Sequence, residues 1–215
     1  MTNGSAPTMT AQVAHALQQL DAHGGVTLPG RLADATLHWF RVRRRWQSFA
    51  IGVLAVGAGL MVAGGVRRDA GVFWALAIPF GALLAFCGAV WAGVVLLLRR
   101  QMNPRRSAET QPVTIDPLGV TLRGIGPLPW TWLAPPERRR VPVRNDIGGV
   151  CTLMPLTPEG HSVVNAQPGW WRHLVGPKPY LRFDIPYLLL PGIEGLTEEE
   201  TMYLFRIVHE RFAQP

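Results

Sequence analysis

Residues 48–66 read SFAIGVLAVGAGLMVAGGV and residues 72–98 read VFWALAIPFGALLAFCGAVWAGVVLLL, parted only by Arg67-Arg68-Asp69-Ala70-Gly71. The first stretch has no charge in nineteen residues, and Ser48 is its one polar side chain. The second runs twenty-seven residues without a charged, amide or hydroxyl group. A helix rises about 1.5 Å per residue and a bilayer's hydrocarbon core is about 30 Å thick, so roughly twenty residues span it. The pattern predicts an antiparallel transmembrane hairpin over residues 48–98. Its first span barely reaches across, and its second must tilt or extend past the lipid. Core helices of a soluble protein would each keep a polar face, and neither stretch has one. A cleaved leader does not fit either, because the run starts near residue 48 and is followed by a second.

Arg41, Arg43, Arg44 and Arg45 precede the first span, and Arg99, Arg100, Arg105 and Arg106 follow the second. The turn between the spans carries Arg67 and Arg68. Eight cations against two predict both termini in the cytoplasm, hence a multi-pass protein of the cell (inner) membrane. Trp39, Trp46 and Trp74 fall near span ends, where amphipathic rings favour the headgroup layer. The net charge of +7 is largely this flanking arginine. It points to the anionic inner leaflet, at about 1 kcal/mol per nearby cation, rather than to nucleic acid. The same arginines also read as plain topology signals. Twenty arginines against one lysine, with abundant Ala and Gly, have the look of a GC-rich bacterial genome.

Small residues recur four apart within the spans: Ala55, Gly59 and Ala63 in the first, and Ala77, Gly81, Ala85, Ala89 and Gly93 in the second. Such ladders let helix backbones approach closely. They are expected to pack the spans on each other, with self-association as a second use. Neither span holds an ionisable side chain, which argues against a proton relay or ion path. Cys87 lies in a span and Cys151 beyond it, so they predict neither a disulfide nor a zinc site.

Residues 1–25 form an N-terminal extension. Met9, Val13, Ala16, Leu17 and Leu20 recur at helical spacing and stop at Gly24-Gly25, which predicts a short amphipathic helix docked on the domain. Residues 26–47 read as a cytoplasmic approach helix segment, with a break at 26–30 and a helical run from Arg31 into the first span. Residues 104–111 read as a polar linker. Residues 110–213 then read as a β-rich cytoplasmic domain closed by one helix. Residues 113–116 and 120–123 alternate around Pro117-Leu118-Gly119 as a hairpin. Residues 135–140 read as a loop, 141–144, 150–156 and 161–165 as further strands, and 167–179 as a long loop. Residues 180–185 form the clearest alternating strand. Thr197-Glu198-Glu199-Glu200 is a capping box opening a helix with the apolar stripe Leu204, Phe205, Val208 and Phe212.

The two-span hairpin, the VTIDPLGVTL run at 113–122, Pro129-Trp130, Phe183-Asp184-Ile185-Pro186 and the closing helix resemble the YcxB-like family. These are bacterial membrane proteins with a pleckstrin-homology-like (PH-like) cytoplasmic domain, and the resemblance covers roughly residues 26–213. It implies an α+β membrane protein. A two-helix transmembrane hairpin would precede a PH-like antiparallel sheet or partial barrel, with a C-terminal capping helix. It implies no catalytic residues. The turn at 116–119, which matches the phosphoinositide-binding loop of eukaryotic PH domains, has no cation, and only Arg123 lies near.

No Gly-x-Ser-x-Gly elbow, His-Glu-x-x-His motif or P-loop occurs, and no cofactor is implied. The chain therefore reads as a non-enzymatic membrane protein presenting an interaction or scaffolding domain. Its partners are the bilayer, anionic inner-leaflet lipids, and a second copy or another membrane protein, with no role for nucleic acid. Contact with anionic lipid is assigned to Arg41, Arg43, Arg44, Arg45, Arg99, Arg100, Arg105, Arg106, Arg138, Arg139 and Arg140. Helix packing is assigned to Ala55, Gly59, Ala63, Gly81, Ala85, Ala89 and Gly93. Trp170-Trp171 reads either as packing over the sheet or as an aromatic contact with headgroups or a partner. Two rival readings stay open: an accessory subunit of a larger membrane complex, and a lipid-handling protein or enzyme with a site between hairpin and domain. The second predicts a polar pocket near His161, His173 or Trp171.

Overall fold

The computed structural model describes residues 10–67, 71–141, 149–176 and 184–213. The chain folds as two compact units. One comprises residues 38–103, and the other joins the residues up to 37 with those from 104 onward.

The first unit is made of two helices, α2 (Asp34–Val66) and α3 (Val72–Glu109). Both are long and apolar enough to cross a membrane. Phe49, Ile51, Val62, Phe73, Phe86 and Leu97 are each more than half exposed. The helices lie antiparallel and close. A Cβ added at Gly57 would sit 2.4 Å from the Ala85 nitrogen and 2.7 Å from the Gly81 oxygen. One at Gly88 would sit 2.7 Å from the Leu54 nitrogen and 3.0 Å from the Ala50 oxygen. Ala50, Gly57 and Gly64 on α2, and Gly81, Gly88 and Val95 on α3, are buried at intervals of seven.

This seam corrects the ladder expected from sequence. Gly81 is buried and Ala63 and Ala85 are half-buried, but Ala55, Gly59, Ala89 and Gly93 are exposed. A side chain at Gly59 or Gly93 would meet nothing within 4 Å. The reason is angular. A four-residue step turns about 40° past a full number of helix turns, so a long ladder leaves any one face, whereas a heptad drifts only about 20°.

The second unit begins before α2. Helix α1 (Ala11–His23) ends at Gly24, whose φ of 71° lets its N–H reach the Leu20 carbonyl. It buries Val13, Ala16 and Leu20 in the core, so the N-terminal segment docks as expected. Residues 26–30 are not a break. Strand β1 (Val26–Leu28) pairs with β3 (Val113–Asp116), placing Val26 opposite Ile115 and Leu28 opposite Val113. Strand β2 (Gly30–Arg31) follows. The unit is thus assembled from both sides of the two long helices.

Strands β1, β3, β4 (Gly119–Leu122) and β5 (Ile125–Leu128) form a four-stranded antiparallel sheet in the order β1-β3-β4-β5. After a 3-10 turn at Trp130–Trp132, β6 (Glu137–Val141), β7 (Gly149–Pro155) and β8 (Tyr187–Leu189) form a three-stranded sheet. Strand β9 (Gly192–Ile193) pairs with β2. The closing helix α6 (Glu198–Phe212) starts at a complete capping box. The Thr197 hydroxyl accepts from the Glu200 N–H at 3.2 Å, and the Glu200 carboxylate accepts from the Thr197 N–H at 2.7 Å. Leu204, Phe205 and Val208 join Ile115, Val120 and Leu122 in the core.

Five further expectations change. Residues 104–109 continue α3 rather than forming a linker, because Arg105, Ala108 and Glu109 are buried on one face. Residues 137–140 belong to a strand, not a loop. Residues 161–165 lie in helix α4 (Pro158–Ala166), whose Thr157 N-cap accepts from the Gly160 N–H and whose first residue is proline. The expected loop holds α5 (Gly169–Val175). Of the strand expected over 180–185, residues 180–183 lie outside the described residues. Asp184 and Ile185 are not in a strand, and pairing with β7 starts at Tyr187.

Candidate functional site

The most unusual chemistry in the second unit is a buried ion cluster. Arg105 and Glu109 face the same way because they stand four apart on α3. Arg123 reaches them from the β4–β5 connection, a two-residue turn in which Leu122 pairs with Ile125. Both turn residues have positive φ, 55° at Arg123 and 71° at Gly124, the geometry of a tight hairpin turn. Glycine adopts it freely, whereas an arginine there is uncommon and signals a constraint.

Arg105, Glu109 and Arg123 are each 2–3 % exposed. Arg105 Nε donates to Glu109 Oε1 at 3.0 Å, and Arg123 Nε lies 3.6 Å from the same oxygen. The carboxylate also accepts from the Thr36 hydroxyl at 2.9 Å and the Ala33 N–H at 3.2 Å. Outward from this centre, Arg105 Nη1 donates to the Gly176 carbonyl at 2.6 Å. Arg123 donates to the carbonyls of Val175 at 3.4 Å and Leu189 at 3.2 Å. One carboxylate therefore ties the start of α2, the end of α3, the β4–β5 turn, the end of α5 and β8 together.

Burial by itself would raise the Glu109 carboxyl. Arg123 and Arg105, with hydrogen bonds from Arg105 and Thr36, instead hold it below the usual carboxylate range. Burial lowers the Arg123 guanidinium to about 10, against the opposing pull of Glu109. Two arginines against one carboxylate leave one net positive formal charge inside the fold.

The cluster revises one assigned site residue. Arg105 does not face lipid, because it is buried against Glu109. Arg41, Arg44, Arg45, Arg100 and Arg106 are exposed, and Arg43 is half-buried with its guanidinium over the Trp39 ring. Arg99 is half-buried and donates to the Gln47 side chain. Arg138, Arg139 and Arg140 are exposed on β6, where Arg138 pairs with Glu199 and Arg139 with Glu137. The structure does not gather these arginines into one site. Arg123, the cation that follows the first hairpin turn in sequence, stands in the next turn, at the other end of β4, and points into the protein.

A shallow cleft lies between the start of α2, β7, the β8–β9 connection and the start of α6. It is lined by Arg31, Asp34, Cys151, Thr152, Glu198 and Thr201 and holds about 20 Å³, room for about one water. Glu198 accepts from the Thr152 N–H and hydroxyl, at 3.1 and 2.7 Å. Burial, then Glu198, push the Cys151 thiol up, so it is protonated at neutral pH. His161, His173 and Trp171 do not line this cleft. Burial and the neighbouring Arg172 lower the His173 imidazole. Among the described residues, no three His, Cys, Asp or Glu side chains gather as a metal site.

The cluster left no motif in the sequence. Arg105 blends into the flanking arginines, and Glu109 sits in an apparent linker. The one available signal was the i, i+4 Arg–Glu pair shortly before β3. No protein-family model, curated protein or solved structure matches this chain.

Proposed function

We propose that this chain is a non-enzymatic, multi-pass protein of the cell (inner) membrane that presents a PH-like interaction domain at the cytoplasmic face. In this reading α2 and α3 form a transmembrane hairpin inserted within the domain, and the domain serves protein–protein interaction or scaffolding. One observation carries the reading. The two long helices keep an exposed apolar surface, while the start of α2 and the end of α3 meet in one compact β unit, joined by the Thr36–Glu109 hydrogen bond. Exposed phenylalanine, leucine and valine on this scale are costly in water and ordinary in lipid. Because both ends enter the same unit, both termini belong on one side, and the arginine bias makes that side cytoplasmic.

The PH-like, YcxB-like assignment draws support from the four-stranded and three-stranded antiparallel sheets followed by a closing helix. It departs from a simple hairpin-then-domain layout, since β1 comes before the hairpin.

Alkaline carbonate extraction of membranes expressing the full chain tests the anchor, and cysteine accessibility in intact cells tests the sidedness. The expected result is a carbonate-resistant protein. A cysteine placed at Arg67 should react with an impermeant reagent added outside, and one at Leu118 should not. Release by carbonate, or reaction at Leu118, would contradict the reading.

A further inference from the structure

The three-stranded sheet of the β unit ends on β6, which pairs with β7 alone. Every second residue of an edge strand turns its N–H and C=O away from the sheet. Among the described residues, no main-chain group of Glu137–Val141 bonds to another main chain outside the β6–β7 pairing. The other edges of the two larger sheets are shorter or blocked. Strand β5 carries Pro127, which has no N–H, and β1 has three residues. Strand β8 also has three, and Arg123 takes the carbonyl of its Leu189 at 3.2 Å. The five-residue β6 is thus the edge best able to accept another strand.

Open edges invite wrong pairing and carry devices against it, and on β6 the device is charge. Arg138, Arg139 and Arg140 are all exposed. A second copy paired on β6 about a two-fold axis at Arg139 would set Arg138 against Arg140 twice and Arg139 against itself. Like charges directly opposite each other disfavour that pairing. The same charge favours a strand that brings carboxylates. Arg138 and Arg139 already meet carboxylates, those of Glu199 and Glu137, yet their side chains stay 52 % and 56 % exposed. Exposed pairs are weak, so a partner's carboxylates can replace them. A flat lipid surface fits less well. Alternation puts Arg138 and Arg140 on one face of β6 and Arg139 on the other, and headgroups would leave the edge amides without strand partners.

We propose that the β6 edge is a docking site for an acidic segment of another protein. The segment adds as a further strand, with carboxylates opposite Arg138 and Arg140. This names the partner chemistry of the interaction domain proposed above and rests on that reading.

The test uses the full chain in neutral detergent micelles and a short fluorescent peptide alternating glutamate and threonine. Anisotropy reads its affinity, and amide hydrogen exchange reads where it sits. Bound peptide should slow exchange within Glu137–Val141. N-methylating one alternate set of peptide amides should weaken binding by about tenfold, and methylating the other set should leave it unchanged. Arg140→Glu should also weaken binding by about tenfold, and Arg140→Lys should keep most of it. Arg140 is exposed, so both variants keep the fold.

Binding that ignores both methylation patterns is charge attraction without strand addition, and overturns the proposal. So does slowed exchange in β6 with phosphatidylglycerol bicelles but not with the peptide, which would assign the arginines to lipid. Photo-crosslinking of the full chain in its native membrane, from exposed positions that include Arg140 and Leu118, separates the remaining failures. Without peptide binding, protein crosslinks from other positions but not from 140 overturn the edge and keep the interaction domain. Crosslinks from none of them defeat both.

Discussion

Along the seam between α2 and α3, contact is made by glycine backbone. Gly57, Gly81 and Gly88 stand where a single Cβ would collide with the opposite helix. At one end of the β unit, by contrast, two arginines and a glutamate are buried together. The difference follows from what each unit excludes. On the proposed transmembrane reading, two apolar helices in hydrocarbon gain nothing by hiding apolar surface from each other, so close backbone approach and dispersion would hold them. A small β unit in water draws most of its stability from apolar burial, and it tolerates ions inside only where they are paired and hydrogen-bonded. The seam should therefore fail through added volume, and the cluster through a removed charge.

The largest effect is expected at the cluster. Glu109→Gln leaves Arg105 and Arg123 buried without a counter-charge and should cost about 3–5 kcal/mol, measured by denaturant titration of the full chain in mild detergent. The pH dependence has a definite sign. The folded carboxyl lies below its usual 4.5, so its contribution is complete above that value and is lost as pH falls through the lower, folded one. The Gln variant should lose this acid-dependent part of the stability curve.

Next comes the seam. Gly88→Leu would drive a side chain into the Leu54 nitrogen and should cost on the order of 1–3 kcal/mol in a detergent-unfolding titration. Gly93→Leu, one step along the outward ladder, should be near neutral, because nothing lies within 4 Å of it. Equal effects at the two positions would erase the distinction between the faces. A smaller change is expected from Thr197→Ala. It removes a complete capping box and should cost about 1 kcal/mol, read as a lowered denaturation midpoint of the β unit. Smallest of all, Arg138→Ala breaks an exposed pair with Glu199 and should stay within about 0.5 kcal/mol by the same measurement.

The parts legible in the sequence were those set by local physics. Length and apolarity mark α2 and α3, the Thr197–Glu200 box marks α6, the Gly24 stop marks α1, and alternation around Leu118 marks β3 and β4. What stayed hidden depended on distant partners. Val26–Leu28 is too short to declare itself a strand until β3 lies beside it. Pro104 suggested a stop, yet burial of Arg105, Ala108 and Glu109 carries α3 through it. The α4 start was present in Thr157-Pro158-Glu159, but the alternating residues after it pointed to a strand. The ion cluster could not be foreseen, since Arg123 lies fourteen positions from Glu109 in sequence and its direction is set by a positive φ. Arginines read as a single lipid-facing set thus divide into exposed or half-buried flanks, three exposed residues on β6, and one buried core residue, Arg105.

The central claim is that the hairpin is an insert in a domain built from both sides of it, and excision tests this most directly. Joining Leu37 to Pro104 through a short Gly-Ser linker removes residues 38–103 and keeps Thr36 and Glu109 on the same chain. The account predicts a soluble, cooperatively unfolding protein whose stability still falls on Glu109→Gln. An excised chain that stays with the membrane fraction, or that is soluble but lacks a cooperative transition, would contradict it.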